Sequence, residues 1–269
     1  MRFRKPLAFL KRDFIIALNY KFSFVLQLLG VFFSTAMFYF LSQVFGKGVS
    51  TYLEPYGGDY FAFVLIGIAF SSYLSFSLRS FSAQLRESQL QGTLEALLAT
   101  PTSLSTIMLS SSLYPFLFTS FSVIVYFVFG AAVFGFPMGN ANIPVAVLIL
   151  ILSIVSFSGL GILSAAFTMV FKKGSPISWL LSSLSMFLCG TFYPVSVLPS
   201  WLQKFSCLLP LTYSLHGMRY ALLQNYSLTQ LLPDIGALLL FSLVLLPLGL
   251  VAFSYATKRA KIEGSLAQY

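Results

Sequence analysis

Long apolar runs separated by short polar breaks dominate the chain. Phe22–Phe45 and Tyr60–Leu78 contain no charged residue. Thr106–Phe136, Pro144–Phe171, Pro176–Tyr193 and Ile235–Thr257 follow with the same character. An uninterrupted apolar stretch of about 20 residues is long enough to cross the hydrocarbon core as a helix. The pattern therefore predicts six membrane-spanning helices at 22–45, 60–78, 106–136, 144–171, 176–193 and 235–257, with both termini on one side. Pro115 predicts a bend or tilt in the third. The fifth is short, but the residues after it are also apolar.

Two segments do not fit a simple span. Phe3, Leu7, Leu10, Phe14 and Leu18 recur at three- and four-residue intervals, a stripe about 80° wide with the charges off it. Residues 1–21 are thus expected to form an amphipathic helix in the head-group plane; a plain basic tail is the alternative. Gly190–Leu223 is apolar but interrupted by Pro194, Pro199 and Pro210, each of which removes a backbone donor. Two short helices fit it better than one, folded as a re-entrant hairpin or lying at the outer interface, where Tyr193, Trp201, Tyr213 and Tyr220 suit the membrane boundary. An ordinary external loop with aromatic anchors is the other reading. The fourth span is rich in small residues (Ser153, Ser156, Ser158, Gly159, Gly161, Ser164, Ala165 and Ala166), which reads as close helix packing.

Composition agrees with a membrane protein. The chain has 269 residues, 58% hydrophobic and 9% charged, against about 25% charged in soluble domains. Its mean hydropathy is +0.88. The N-terminal stretch is too long and too charged for a cleavable signal, so the first span is expected to be retained. Placing the charges explains the net +9. Lys47, Lys204 and Arg219 are the only cations outside the segments assigned to the cytoplasmic side, which carry the other 13 of the 16. The positive-inside rule then puts both termini in the cytoplasm of a cell membrane. The basicity reports topology and anionic lipid head groups, not nucleic acid.

Much chemistry is missing from the sequence. There is no G-x-x-x-x-G-K-[ST] phosphate loop, no H-E-x-x-H pair and no G-x-S-x-G elbow. His216 is the only histidine and reads as a satisfied interfacial residue. Cys189 and Cys207, the only cysteines, both fall near the outer side, where a disulfide is an open option. By these boundaries no span core holds Asp, Glu, Lys, Arg or His, whereas ion-coupled transporters place such residues at mid-membrane. Energy for any transport is expected to enter from outside the bilayer.

One polar island is placed to receive it. Between Asp59 and Lys172 the only charged residues are Arg79, Arg86, Glu87 and Glu95. A charge at the bilayer centre costs about 3 kcal/mol on insertion scales, so this stretch must leave the membrane. Gly92 breaks a first helix, Thr93 caps a second, and Leu94–Thr100 forms a short helix stopped before Pro101. Leu94, Leu97 and Leu98 share a face suited to a groove. A connector lying flat on the membrane is the alternative.

The motifs resemble the ABC-2-type permeases, membrane subunits of one class of ABC exporters. The resemblance rests on Gly92-Thr93-Leu94-Glu95 with Thr100-Pro101, on Gly190-Thr191-Phe192-Tyr193-Pro194 leading to Leu198-Pro199, and on Leu209-Pro210-Leu211-Thr212-Tyr213 with Gly217 and Arg219 downstream. The amphipathic N-terminal helix before six spans completes it. It implies an all-α polytopic permease over 1–269 that homodimerises and pairs with a separate ATPase subunit. It implies a cytoplasmic coupling loop at 84–104, with Arg86, Glu87, Gly92, Thr93, Leu94, Glu95, Leu98 and Pro101 contacting that ATPase. It also implies an external gate at 190–223, involving Gly190, Tyr193, Pro194, Pro199, Trp201, Pro210, Tyr213 and Arg219. The chain itself would bind no cofactor and be no enzyme; ATP and Mg would belong to the partner. The substrate would be a drug, lipid or lipid-linked glycan. A secondary transporter or channel, and a non-transporting scaffold, are the competing functions.

Overall fold

The computed structural model describes residues 4–18, 21–45, 50–90, 104–137, 139, 141–171 and 176–262. Every regular element among them is helical. In chain order these are α1 (Arg4–Leu18), α2 (Lys21–Phe45), α3 (Ser50–Leu53) with a 3-10 turn at Glu54–Tyr56, and α4 (Tyr60–Leu90). Then come α5 (Leu104–Phe134), α6 (Ile143–Phe171), α7 (Pro176–Leu188), a 3-10 turn at Val195–Val197, α8 (Ser200–Ser206), α9 (Pro210–Leu223) and α10 (Leu232–Ile262). The protein is an all-α integral membrane protein.

Five helices are long and apolar enough to cross a membrane among the described residues: α2, α4, α5, α6 and α10. The segment predicted as a fifth span is shorter than expected. α7 has 13 residues, about 20 Å of helix, and ends because Gly190 adopts a left-handed φ of +78°. A Cβ there would sit 3.0 Å from the Tyr193 carbonyl oxygen, so the turn is closed to larger residues. α5 runs through Pro115 as one helix.

α4 is the axis of the bundle. Over its apolar window 78% is buried, against 11% for α2. Phe63, Phe70, Tyr73, Leu74, Leu78 and Phe81 are all enclosed by neighbouring helices. The second span was expected to stop at Leu78, but α4 continues to Leu90. At 1.5 Å per residue its 31 residues make a rod about 46 Å long, well beyond a hydrocarbon core of about 30 Å.

α6 and α10 form the most extensive helix pair, and small residues allow it. A Cβ on Gly159 would lie 2.6 Å from the Leu245 carbonyl carbon. Where the backbones meet, hydroxyls are shared across helices. Ser156 and Ser242 are 2.8 Å apart, and Ser153 of α6 meets Ser214 of α9 at 2.6 Å. The small-residue run in this helix is therefore packing, as close approach in lipid requires.

α1 lies against α5, with Phe14 edge-on to Tyr114 at 6.4 Å between ring centres. The apolar stripe is divided. Leu10 is half-buried, whereas Leu7 and Phe14 remain open. Arg12 pairs with Asp13 at 2.7 Å and overlies the Phe9 ring.

Candidate functional site

Residues 188–223 fold into a compact cap at the end of the bundle where α4 begins. The prolines set its shape. Pro194 precedes the 3-10 turn, Pro199 is the N-cap of α8, and Pro210 opens α9, a position where a missing N–H costs nothing. Side chains then satisfy the carbonyls that the breaks leave over. The Tyr193 hydroxyl donates to Phe187 O at 2.6 Å, Ser206 to Leu188 O at 2.7 Å, Thr212 to Ser206 O at 2.7 Å and Tyr213 to Cys207 O at 3.1 Å. Gln203 donates to Leu198 O at 2.8 Å. Trp201, Phe205 and Leu208 of this cap are exposed.

Arg219 ties the cap to the rest of the protein. It is 2% exposed. Its Nε and Nη2 donate to the Phe63 carbonyl at 3.2 and 3.1 Å, and Nη2 also donates to the Thr191 carbonyl at 3.1 Å. The guanidinium carbon lies 3.3 Å from the centre of the Phe63 ring. Three segments, α4, α9 and the turn after α7, thus meet on one side chain. Burial pulls the Arg219 pKa down to about 9, so the group stays protonated at neutral pH. Ser71 of α4 shares a 2.9 Å hydrogen bond with Thr191, and Ser75 one of 2.7 Å with Ser182 of α7.

Beside Arg219 lies a cavity of about 290 Å³ between Tyr56, Thr212, Tyr213, His216, Arg219 and Asp234. His216 Nδ1 is 2.9 Å from Asp234 Oδ2, which joins α9 to the first turn of α10. Tyr56, Tyr220 and Tyr226 surround this pair with ring contacts. Cys189 and Cys207 are both free thiols, the first buried and the second exposed. Burial pushes the Cys189 thiol up to about 12.

A family profile described as ABC-2 type transporter matches residues 7–223. The chain belongs to the ABC-2 type transporter family. It is therefore an ABC transporter permease subunit, and such subunits normally pair with an ABC ATPase. No curated protein matches the chain.

The structure brings the predicted cap residues together. Gly190, Tyr193, Pro194, Pro199, Trp201, Pro210, Tyr213 and Arg219 all belong to the segment from the α7 turn through α9. They do not converge on one point: Trp201 is exposed on α8, whereas Arg219 is buried against α4. At the other end of α4, Arg86 and Glu87 lie on the helical extension of the second span. Gly92, Thr93, Leu94, Glu95, Leu98 and Pro101 lie outside the described residues. Sequence reasoning missed Phe63, Gly67 and Thr191 as the seats of Arg219, and Asp234 as the partner of His216. Gly67 was the one visible signal, a lone glycine in an otherwise bulky apolar run.

Proposed function

We propose that this ABC-2 permease is the membrane half of an ATP-driven exporter. Two copies and two ATPase subunits form the working complex in the cell membrane, with α7 as a short sixth crossing that leaves both termini of each copy cytoplasmic. The cargo is an amphipathic molecule (a drug, lipid or lipid-linked glycan) taken from the cytoplasm or inner leaflet. This chain hydrolyses nothing; ATP and Mg bind the partner.

The observation that carries the reading is the continuity of α4. It is unbroken from Phe63, where Arg219 grips it, to Leu90, next to the Gly92–Pro101 segment. A helix keeps its length because every backbone bond lies within it. Displacement applied near Leu94, Glu95 and Leu98 by an ATPase therefore travels along α4 to the cap. There the Arg219 bonds and the Ser71–Thr191 bond pass it to residues 190–223, which act as the external gate. The absence of Asp, Glu, Lys, Arg and His from the middle of the apolar runs supports energy entering from a soluble partner.

The test is reconstitution. Wild-type protein in liposomes should export only with its ATPase and ATP, and Glu95→Lys should abolish export and weaken co-purification. Export by this chain alone, driven by a proton or sodium gradient, would overturn the reading.

A further inference from the structure

Arg219 is only partly used by the protein. Its three hydrogen bonds engage Nε and Nη2, while Nη1 makes none among the described residues. Arg219 also pairs with no carboxylate there. Among the described residues, Tyr73 Oη is the one side-chain nitrogen or oxygen that is both sealed from access and without a partner. Nη1 therefore keeps at most a sliver of access, Arg219 being 2% exposed, and Arg219 is among the residues that line the cavity. A buried guanidinium has thus spent part of its donor fork on carbonyl dipoles and keeps the remainder unused beside a half-open cavity. Its positive charge is offset by dipoles and a ring face, not by a counter-ion. The Tyr56 hydroxyl, on the same wall, likewise makes no hydrogen bond among the described residues.

We propose that this cavity binds a singly charged oxyanion, a phosphodiester or carboxylate, with Arg219 Nη1 as the charged donor and Tyr56 as a neutral one. Guanidinium matches the geometry of such groups, and a desolvated site strengthens the attraction. Asp234 limits the charge. Its carboxylate lines the same cavity and is held by His216, so the desolvation cost of a second negative charge on the ligand has no second cation to offset it. Two sources supply the required chemistry: the headgroup of an acidic lipid and a free anion. Trp201, Phe205 and Leu208 are exposed on the same cap whose residues line the cavity, apolar surface of the kind a lipid source needs. The proposal does not depend on export or on an ATPase.

The purified full-length protein decides it in two arms. In nanodiscs, native mass spectrometry should show phosphatidylglycerol retained about tenfold better than phosphatidylcholine, the worth of one charge-assisted hydrogen bond. In detergent, dimethyl phosphate, a phosphodiester with a single charge, should raise the melting temperature if free anions are the source. Arg219→Gln should remove the effect. Because that variant also breaks the bonds to Phe63 and Thr191, Ser196→Trp is the decisive control. Ser196 is an exposed wall residue, so the indole fills the cavity without touching those bonds. Loss of either effect in Ser196→Trp, with its ligand-free melting temperature unchanged, supports the site and names its source. Absence of both effects in wild type, or their persistence in Ser196→Trp, overturns it. Neither result bears on ATP-driven export, which is measured separately.

Discussion

Arg219 grips Phe63 twice, lying 3.3 Å from the centre of its ring and donating two hydrogen bonds to its carbonyl. The ring face and the carbonyl of one residue thus hold the same cation. Lysine keeps the charge but loses the planar fork and the stacking. Arg219→Lys should cost about 2–4 kcal/mol, from one lost cation–π contact and unsatisfied carbonyls at Phe63 and Thr191. Thermal unfolding in nanodiscs measures it. Phe63→Leu keeps the carbonyl bonds and should cost less. A lysine variant that melts with wild type would show that the grip is unimportant.

Gly67 lies one helical turn after Phe63, on the same face of α4. A Cβ there would run into the Thr191 carbonyl oxygen and approach Arg219 Nη2 to 3.0 Å. Gly67→Ala should therefore force the turn after α7 away from α4, at about 1–3 kcal/mol. Gly236 of α10 has nothing within 4 Å of its Cβ position, so Gly236→Ala should be neutral or stabilising by up to about 1 kcal/mol. Equal melting temperatures for the two alanine variants would contradict the packing described for Thr191.

The bundle was readable in the sequence because lipid imposes one rule, an apolar run of fixed length, and the runs of α2, α5, α6 and α10 obey it. The interruptions at Pro194, Pro199 and Pro210 were readable because proline announces them. Two features were not. α4 runs past Leu78 because polar residues sustain a helix in water as readily as apolar ones do in lipid, so composition marks the membrane boundary but not the helix end. Arg219 was placed in the external gate by resemblance, but its grip on α4 was not readable because its seats, Phe63 and Thr191, are 156 and 28 residues away in sequence. Backbone carbonyls, unlike charged partners, leave no trace in residue type.

The two cysteines should react very differently. Cys207 is exposed, whereas Cys189 is 1% exposed with its thiol pushed up to about 12. At pH 8 the reactive thiolate fraction of Cys189 is then on the order of one in ten thousand. A membrane-impermeant maleimide should label one site per chain on the outside of intact cells. Cys207→Ser should abolish that labelling, and Cys189 should become reactive only in denaturing detergent. Two labels per native chain would contradict the burial of Cys189; labelling only after membranes are opened would reverse the proposed orientation.

The α6–α10 contact sets packing against hydrogen bonding. Ser156 and Ser242 share a hydrogen bond, and each also reaches both Leu152 O and Leu238 O. Because the acceptors are duplicated, either hydroxyl finds a partner when the other is removed. Their coupling in a double-mutant cycle should be small, about 0.6 kcal/mol, the average for such pairs in a membrane. Gly159 has no such redundancy. An added methyl meets Leu245 backbone at 2.6 Å, and the helices must separate along their contact. Gly159→Ala should therefore destabilise by about 1–3 kcal/mol, more than Ser156→Ala and Ser242→Ala combined. If the serine pair proved the costlier loss, hydrogen bonding rather than close backbone approach would hold these two helices together.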